Sequence, residues 1–171
     1  MAKIIKQGTV VSNPWIRFDA ADVPEGEWVD DGSLPPGGLI VPLAVWLAHR
    51  DALKLHPRTG VLLEPSDDPA LLAADLAKLA LVAINFPKFT DGRGFSTARL
   101  LRERHGFKGE IRAVGHVLPD QIFFLHRCGF DAFELPDERV EDALSIAAQQ
   151  PFTAPYQGAV DQPPLYLRRV A

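Results

Sequence analysis

Short, continuously apolar runs alternate with longer segments in which apolar residues recur every three or four positions, and this alternation sets the first expectations. The runs Gly60–Glu64, Ala80–Ile84, Glu110–Gly115 and Ala132–Leu135 read as buried strands. Between and around them lie helical stripes. Leu43, Trp46, Leu47 and Leu53 follow Pro42, which suits a first helical turn. Leu72, Leu76 and Leu79 follow Asp68-Pro69, a cap and a φ-locked residue that together predict a helix start. A helix near Ser96–His105 closes with Arg102, Arg104, His105 and Gly106, cations at its negative end and glycine past it. Another spans about Asp120–Cys128 and stops at Gly129, and a last one opens at Asp137 or Glu138 with Val140, Ala143, Leu144 and Ala147 inward.

Four strands joined by helical crossovers predict an α/β fold of four or more mostly parallel strands. A complete eight-stranded barrel needs roughly 200 residues or more, so the expectation is a short open sheet or a partial barrel within residues 39–150. Residues 1–38 read differently. Short strands at Lys3–Gln7, Thr9–Val11 and Trp15–Phe18 are separated by turn signals at Gly8 and Asn13-Pro14, and Gly32–Gly38 is a turn-rich stretch. Too few apolar residues are present there for a separate core, so the segment reads as a small N-terminal β appendage. Residues 151–171, rich in Pro and Gln, read as an extended tail on the surface or on a partner subunit, an arrangement that allows a homodimer.

Composition narrows the function classes. A formal charge of −4 argues against a chain that grips nucleic acid. A single cysteine excludes a disulfide framework or a four-thiolate cluster held by this chain alone. The longest apolar run, Gly38–Ala48, is too short to span a bilayer, and Met1–Lys6 has no long apolar core, so a cytoplasmic setting is expected. The charge is unevenly spread: positions 88–127 hold eight basic and four acidic residues. Such a distribution favours an anion or an acidic partner. Arg99, Arg102 and Arg104 are the candidate docking residues; a merely solvated helix face is the alternative.

Ligands of parallel α/β sheets gather at the carboxyl ends of the strands. Polar residues expected there include Glu64, Lys88, Asp91, Arg93, Ser96, His116, Asp120, Gln121, Glu134 and Asp137. The densest stretch is Phe86–Ser96, where two glycines, two cations and a following helix start suit a small oxyanion held by Lys88, Asp91, Arg93, Gly94 and Ser96. An Asp91–Arg93 pair that simply holds the loop is the competing reading. His116 beside Asp91 or Asp120 is the candidate proton-transfer group, against a loop histidine with a structural hydrogen bond. Cys128 reads as a small buried hydrophobe, a nucleophile being the alternative, and Arg112, which interrupts an otherwise apolar strand, either emerges at a sheet edge or reaches into a polar cavity. No histidine spacing points to zinc. No GxGxxG or GxxxxGK[ST] is present, so no cofactor is evident.

Phe86–Ser96, Ala98–Arg102, Gly109–Gly115 and Arg127–Phe133 together resemble a bacterial domain-of-unknown-function family whose genes commonly lie beside that of assimilatory sulfite reductase. The likeness covers roughly residues 38–135. Members carry the label of an oxidoreductase of sulfite reduction, and their pattern has aspartate in place of His116 and arginine in place of Pro119. The resemblance implies a cytoplasmic place in sulfate assimilation and cysteine biosynthesis, without a catalytic residue that can be carried over. An electron-transferring reductase needs a carrier, and no carrier motif is legible. Two expectations follow. One is an accessory protein that docks on the sulfite reductase haemoprotein or its electron donor. The other is an enzyme binding a small anion at the strand ends.

Overall fold

The computed structural model describes residues 2–18, 37–148 and 157–168. Their strands are β1 (Ala2–Lys6), β2 (Thr9–Val11), β3 (Trp15–Arg17), β4 (Gly38–Pro42), β5 (Thr59–Leu63), β6 (Leu81–Phe86), β7 (Glu110–Gly115) and β8 (Ala132–Pro136). They form one sheet in the order β2-β1-β8-β7-β6-β5-β4-β3. From β3 to β8 every neighbour is parallel, and β1 and β2 add antiparallel strands beyond β8. The fold is the expected mostly parallel α/β arrangement, and the sheet curls into a half-barrel. The strands of the first 38 residues sit at both ends of that sheet; residues 19–36 of the expected appendage, and 151–156 and 169–171 of the tail, lie outside the described residues.

Helices α1 (Leu43–Leu53), α2 (Arg93–Glu103), α3 (Ile122–Arg127) and α4 (Asp137–Ala148) cover the convex face, and a short α5 (Leu165–Arg168) lies near the C-terminus. Side chains alternate across a strand, so Val61 and Leu63, Val82 and Ile84, Ile111 and Ala113 enter the core beneath the helices. A chain of rings ties α2 and α3 to that core: Phe130 to Phe86 at 5.9 Å, Phe86 to Phe95 at 5.3 Å, and Phe95 to Phe124 at 5.0 Å between centroids. The alternate residues Ile40, Leu62, Leu81, Ala83 and Val114 form a second, smaller core on the concave face, closed by Trp15. A Cβ on Gly38 would lie 2.3 Å from the Trp15 ring, so only glycine lets the indole seat there.

Two elements differ from expectation. The stripe of Leu72, Leu76 and Leu79 is buried as predicted, but it is carried by two 3-10 turns, Pro69–Leu72 and Leu76–Lys78, instead of an α-helix. Asp68 does cap the first, accepting from the Ala70 N–H at 2.9 Å. Asp75, between the turns, is drawn inward to Lys54 Nζ at 2.7 Å and Trp46 Nε1 at 3.3 Å. That anchor fixes the crossover against α1 in place of a regular helical ladder. The second difference is β4, five residues that run directly into α1 with no intervening turn.

Candidate functional site

Arg112, the charge interrupting β7, lies in the floor of the half-barrel. Its guanidinium is buried, donates to Glu110 Oε1 at 2.8 and 2.6 Å, and reaches Asn13 Oδ1 at 2.9 Å. Lys6 Nζ meets the other Glu110 oxygen at 2.7 Å. Burial pushes the Glu110 carboxyl up, but the bonds and charges of Lys6 and Arg112 outweigh it and hold the group below its ordinary range. The N-terminal strands are thereby tied to the centre of the sheet, and the polar floor is satisfied within itself.

Above the apolar layer, at the carboxyl ends of the parallel strands, the concave face opens into a cavity of about 390 Å³. Its polar walls come from separate strands: Arg17 from β3, Glu64 after β5, Asn85 from β6 and Glu134 from β8. Asp137 and Glu138, in the first turn of α4, stand at the rim. Asn85 Nδ2 donates to both Glu64 oxygens, at 3.1 and 2.9 Å, which aligns that carboxylate. Arg17 Nη1 and Glu134 Oε1 are 3.8 Å apart across the mouth. Gly115 holds φ at +90°, and a Cβ there would fall 2.5 Å from Asn85 Oδ1, so glycine shapes this wall. Glu64, Glu134 and Asp137 were expected at strand ends; Arg17 and Asn85 were missed.

The Phe86–Ser96 loop lies beside this mouth without lining it. Arg93 Nε and Nη2 donate to Asp91 at 3.0 and 2.7 Å, and the Arg93 N–H adds a third bond at 3.2 Å. Hydrogen bonds from Arg93 hold Asp91 below the usual carboxylate range, and the same bonds raise the guanidinium. Lys88 and Ser96 are exposed, and Gly94 is buried against Phe86. The His116 side chain is exposed, while its backbone N–H donates to the Phe86 carbonyl at 2.7 Å; Asp120, also exposed, sits in the 3-10 turn Pro119–Gln121. None of these side chains lines the mouth cavity.

The three candidate docking arginines, Arg99 and Arg102 on α2 and Arg104 at its end, divide. Arg99 is exposed and paired with Glu103 at 2.9 Å, and Arg104 is exposed. Arg102 turns inward: it donates to the carbonyls of Gly129 at 3.0 Å, Phe107 at 2.7 Å and Gly109 at 2.9 Å, and pairs with Asp131. Its role is to bind α2 to the β7 and β8 entrances, so it is not carried forward as a docking residue. Among the described residues, no three His, Cys, Asp or Glu side chains converge as metal ligands.

The model of a bacterial family of unknown function, DUF934, matches residues 60–166. The chain belongs to the DUF934 family. No curated protein matches it. Within the DUF934 span fall Glu64, Asn85, Gly115 and Glu134 of the mouth, the whole of α2, and the tail residues 157–166; Arg17 lies outside it. The span starts later than the likeness of residues 38–135 and runs further, through α4. In this DUF934 chain Cys128 is half-buried, and burial pushes its thiol up, away from the reactive thiolate. The tail residues pack beside it: the Val160 N–H donates to the Arg127 carbonyl at 3.2 Å, and Arg127 Nη2 to the Gln157 carbonyl at 3.0 Å. No helix among the described residues is long and apolar enough to cross a membrane.

Proposed function

We propose that this protein is an accessory component of assimilatory sulfite reduction, docking on sulfite reductase or its electron donor through exposed cations around α2. The likeness of the Phe86–Phe133 motifs to a family encoded beside the reductase supplies the setting. The observation that carries the docking mode is the exposure of Lys88, Arg99, Arg104 and Lys108 around a single helix, with Arg102 withdrawn into the fold and Arg93 paired to Asp91. On α4 the balance is opposite, with Asp137, Glu138, Glu141 and Asp142 against Arg139. A field of this polarity steers an acidic partner toward α2 and weakens as salt rises. The test is a deletion strain holding no second copy of the gene, scored on sulfate, sulfite, sulfide and cysteine. Growth on sulfide and cysteine but not on sulfate or sulfite supports the reading; normal growth on all four overturns it.

A second reading, an enzyme acting at the carboxyl ends of the strands, is favoured by the mouth cavity. In it the reactive position moves from the self-paired Asp91–Arg93 loop to Glu64, aligned by Asn85, and Glu134, beside Arg17. Carboxylates outnumber Arg17 there, so a ligand hydroxyl or amine donating to Glu64 fits better than a bare anion. Thermal-shift screening of small polar metabolites separates the two sites. A hit lost in Glu64→Gln and kept in Lys88→Ala belongs to the mouth; the reverse belongs to the loop, with His116 and Asp120 as its proton-transfer neighbours.

A further inference from the structure

On the convex side, β1 and β8 part from α3 and α4 to leave a cavity of about 510 Å³. Its walls are apolar: Ile5 and Phe133 from the sheet, Ile122 and Phe123 from α3, Leu144 and Ile146 from α4. The volume and the lining are those of a small-molecule chamber. Polar groups gather at its rim, and their charges do not cancel. Glu110 is committed to Lys6 at 2.7 Å and to Arg112 at 2.6 Å. Asp131 is committed to Arg102 and accepts the Ile111 N–H at 2.8 Å. Lys108 and His126, both exposed, line the same cavity and take part in none of these pairs. The rim therefore offers the Lys108 ammonium and the His126 imidazole as donors over an apolar chamber whose carboxylates are already neutralised.

We propose that this cavity binds an amphipathic organic anion, an aryl or short alkyl body among Ile122, Phe123, Phe133 and Leu144 with its carboxylate or sulfonate at Lys108 and His126. Apolar burial supplies the affinity, and the charged head fixes which end enters. The site shares no residue with the mouth and, of the exposed cations around α2, only Lys108; probe binding does not depend on Lys88, Arg99 or Arg104, so variants of those three separate it from the docking proposal.

Anilinonaphthalene sulfonate is the probe, with uncharged N-phenylnaphthylamine as its counterpart, titrated by fluorescence into the full chain after a cooperative thermal transition has shown it folded. The expected result is saturable binding of both, with the sulfonate the tighter. Lys108→Glu should weaken the sulfonate about tenfold and leave the uncharged probe within about twofold. Leu144→Trp, which fills the chamber, should abolish both. Ile146→Trp at its edge serves the same purpose if Leu144→Trp does not fold. Absence of saturable binding to the folded wild type, sulfonate affinity unchanged by Lys108→Glu, or binding that survives a folded filling variant each overturns the proposal.

Discussion

Arg17 on β3 and Glu134 on β8 approach to 3.8 Å although four strands separate them in the sheet. Only a strongly curled sheet brings its third and eighth strands face to face. The curl converts the carboxyl ends of β3 to β8 from a line into an arc, and the mouth cavity lies within it. The pair itself is long and partly exposed, with side-chain exposures of 45% and 21%, so its own strength is small. Arg17→Ala should change stability by less than about 0.5 kcal/mol in denaturant unfolding, and any loss of ligand affinity it causes reports on the mouth and not on the fold.

Arg102 and Arg104 are two residues apart with opposite expected consequences. Arg102→Ala strips three carbonyls and Asp131 of a partly buried donor, and should cost about 3 kcal/mol. Arg104→Ala, at an exposed position, should stay within about 0.5 kcal/mol. Urea midpoints of the two variants check this directly; equal midpoints would contradict the inward role of Arg102.

Asp75 makes stability depend on acid. Burial raises its carboxyl, but Lys54, Trp46 and Arg50 outweigh that and hold it below its ordinary value of 3.8. A carboxylate depressed on folding stabilises the native state above its unfolded pKa, and that contribution fades as pH falls through the lower folded value. Asp75→Asn should therefore destabilise at neutral pH, by about 1–3 kcal/mol, since Lys54 keeps only its longer, exposed pairing with Asp51, and should flatten the decline below pH 3.8. Thermal transitions recorded from neutral pH down to acid test both signs.

Gly115→Ala should cost about 2 kcal/mol, because it forces an L-residue to a φ of +90°. Its Cβ would also press on Asn85 Oδ1 and the Phe86 carbonyl, at 2.5 and 2.6 Å. The disturbance should be local, visible as amide shift changes at residues 64, 85 and 115 with the chemical shifts of α4 retained.

The strands β5 to β8 and the last helices were legible because each is a block whose periodicity changes at a turn or cap residue. β4 was hidden because Leu39, Ile40 and Val41 run into Leu43 and Trp46 as one apolar stretch, with Pro42 ambiguous between strand end and helix start. The crossover at residues 69–78 kept a helical leucine stripe, and the long-range bonds of Asp75 to Trp46 and Lys54 that accompany its break into two 3-10 turns are not local in sequence. At the site, Glu64 and Glu134 were visible as polar strand ends. Asn85 had a usable signal, since Leu81, Ala83 and Asn85 share one face of β6. Arg17 had none: its place follows from the pairing of β3 with β4 and from the curl, both non-local. The Phe86–Ser96 loop looked richest because sequence shows which charges are near one another, but not that Asp91 and Arg93 satisfy each other.

The docking account is tested most directly by the affinity of the purified chain for sulfite reductase, with and without its electron donor, measured at low and physiological salt for the wild type and for Arg99→Glu/Arg104→Glu. The account predicts a complex that weakens as salt rises and loses at least about tenfold in affinity on charge reversal. No complex with either partner, or a complex indifferent to both salt and charge reversal, would contradict it.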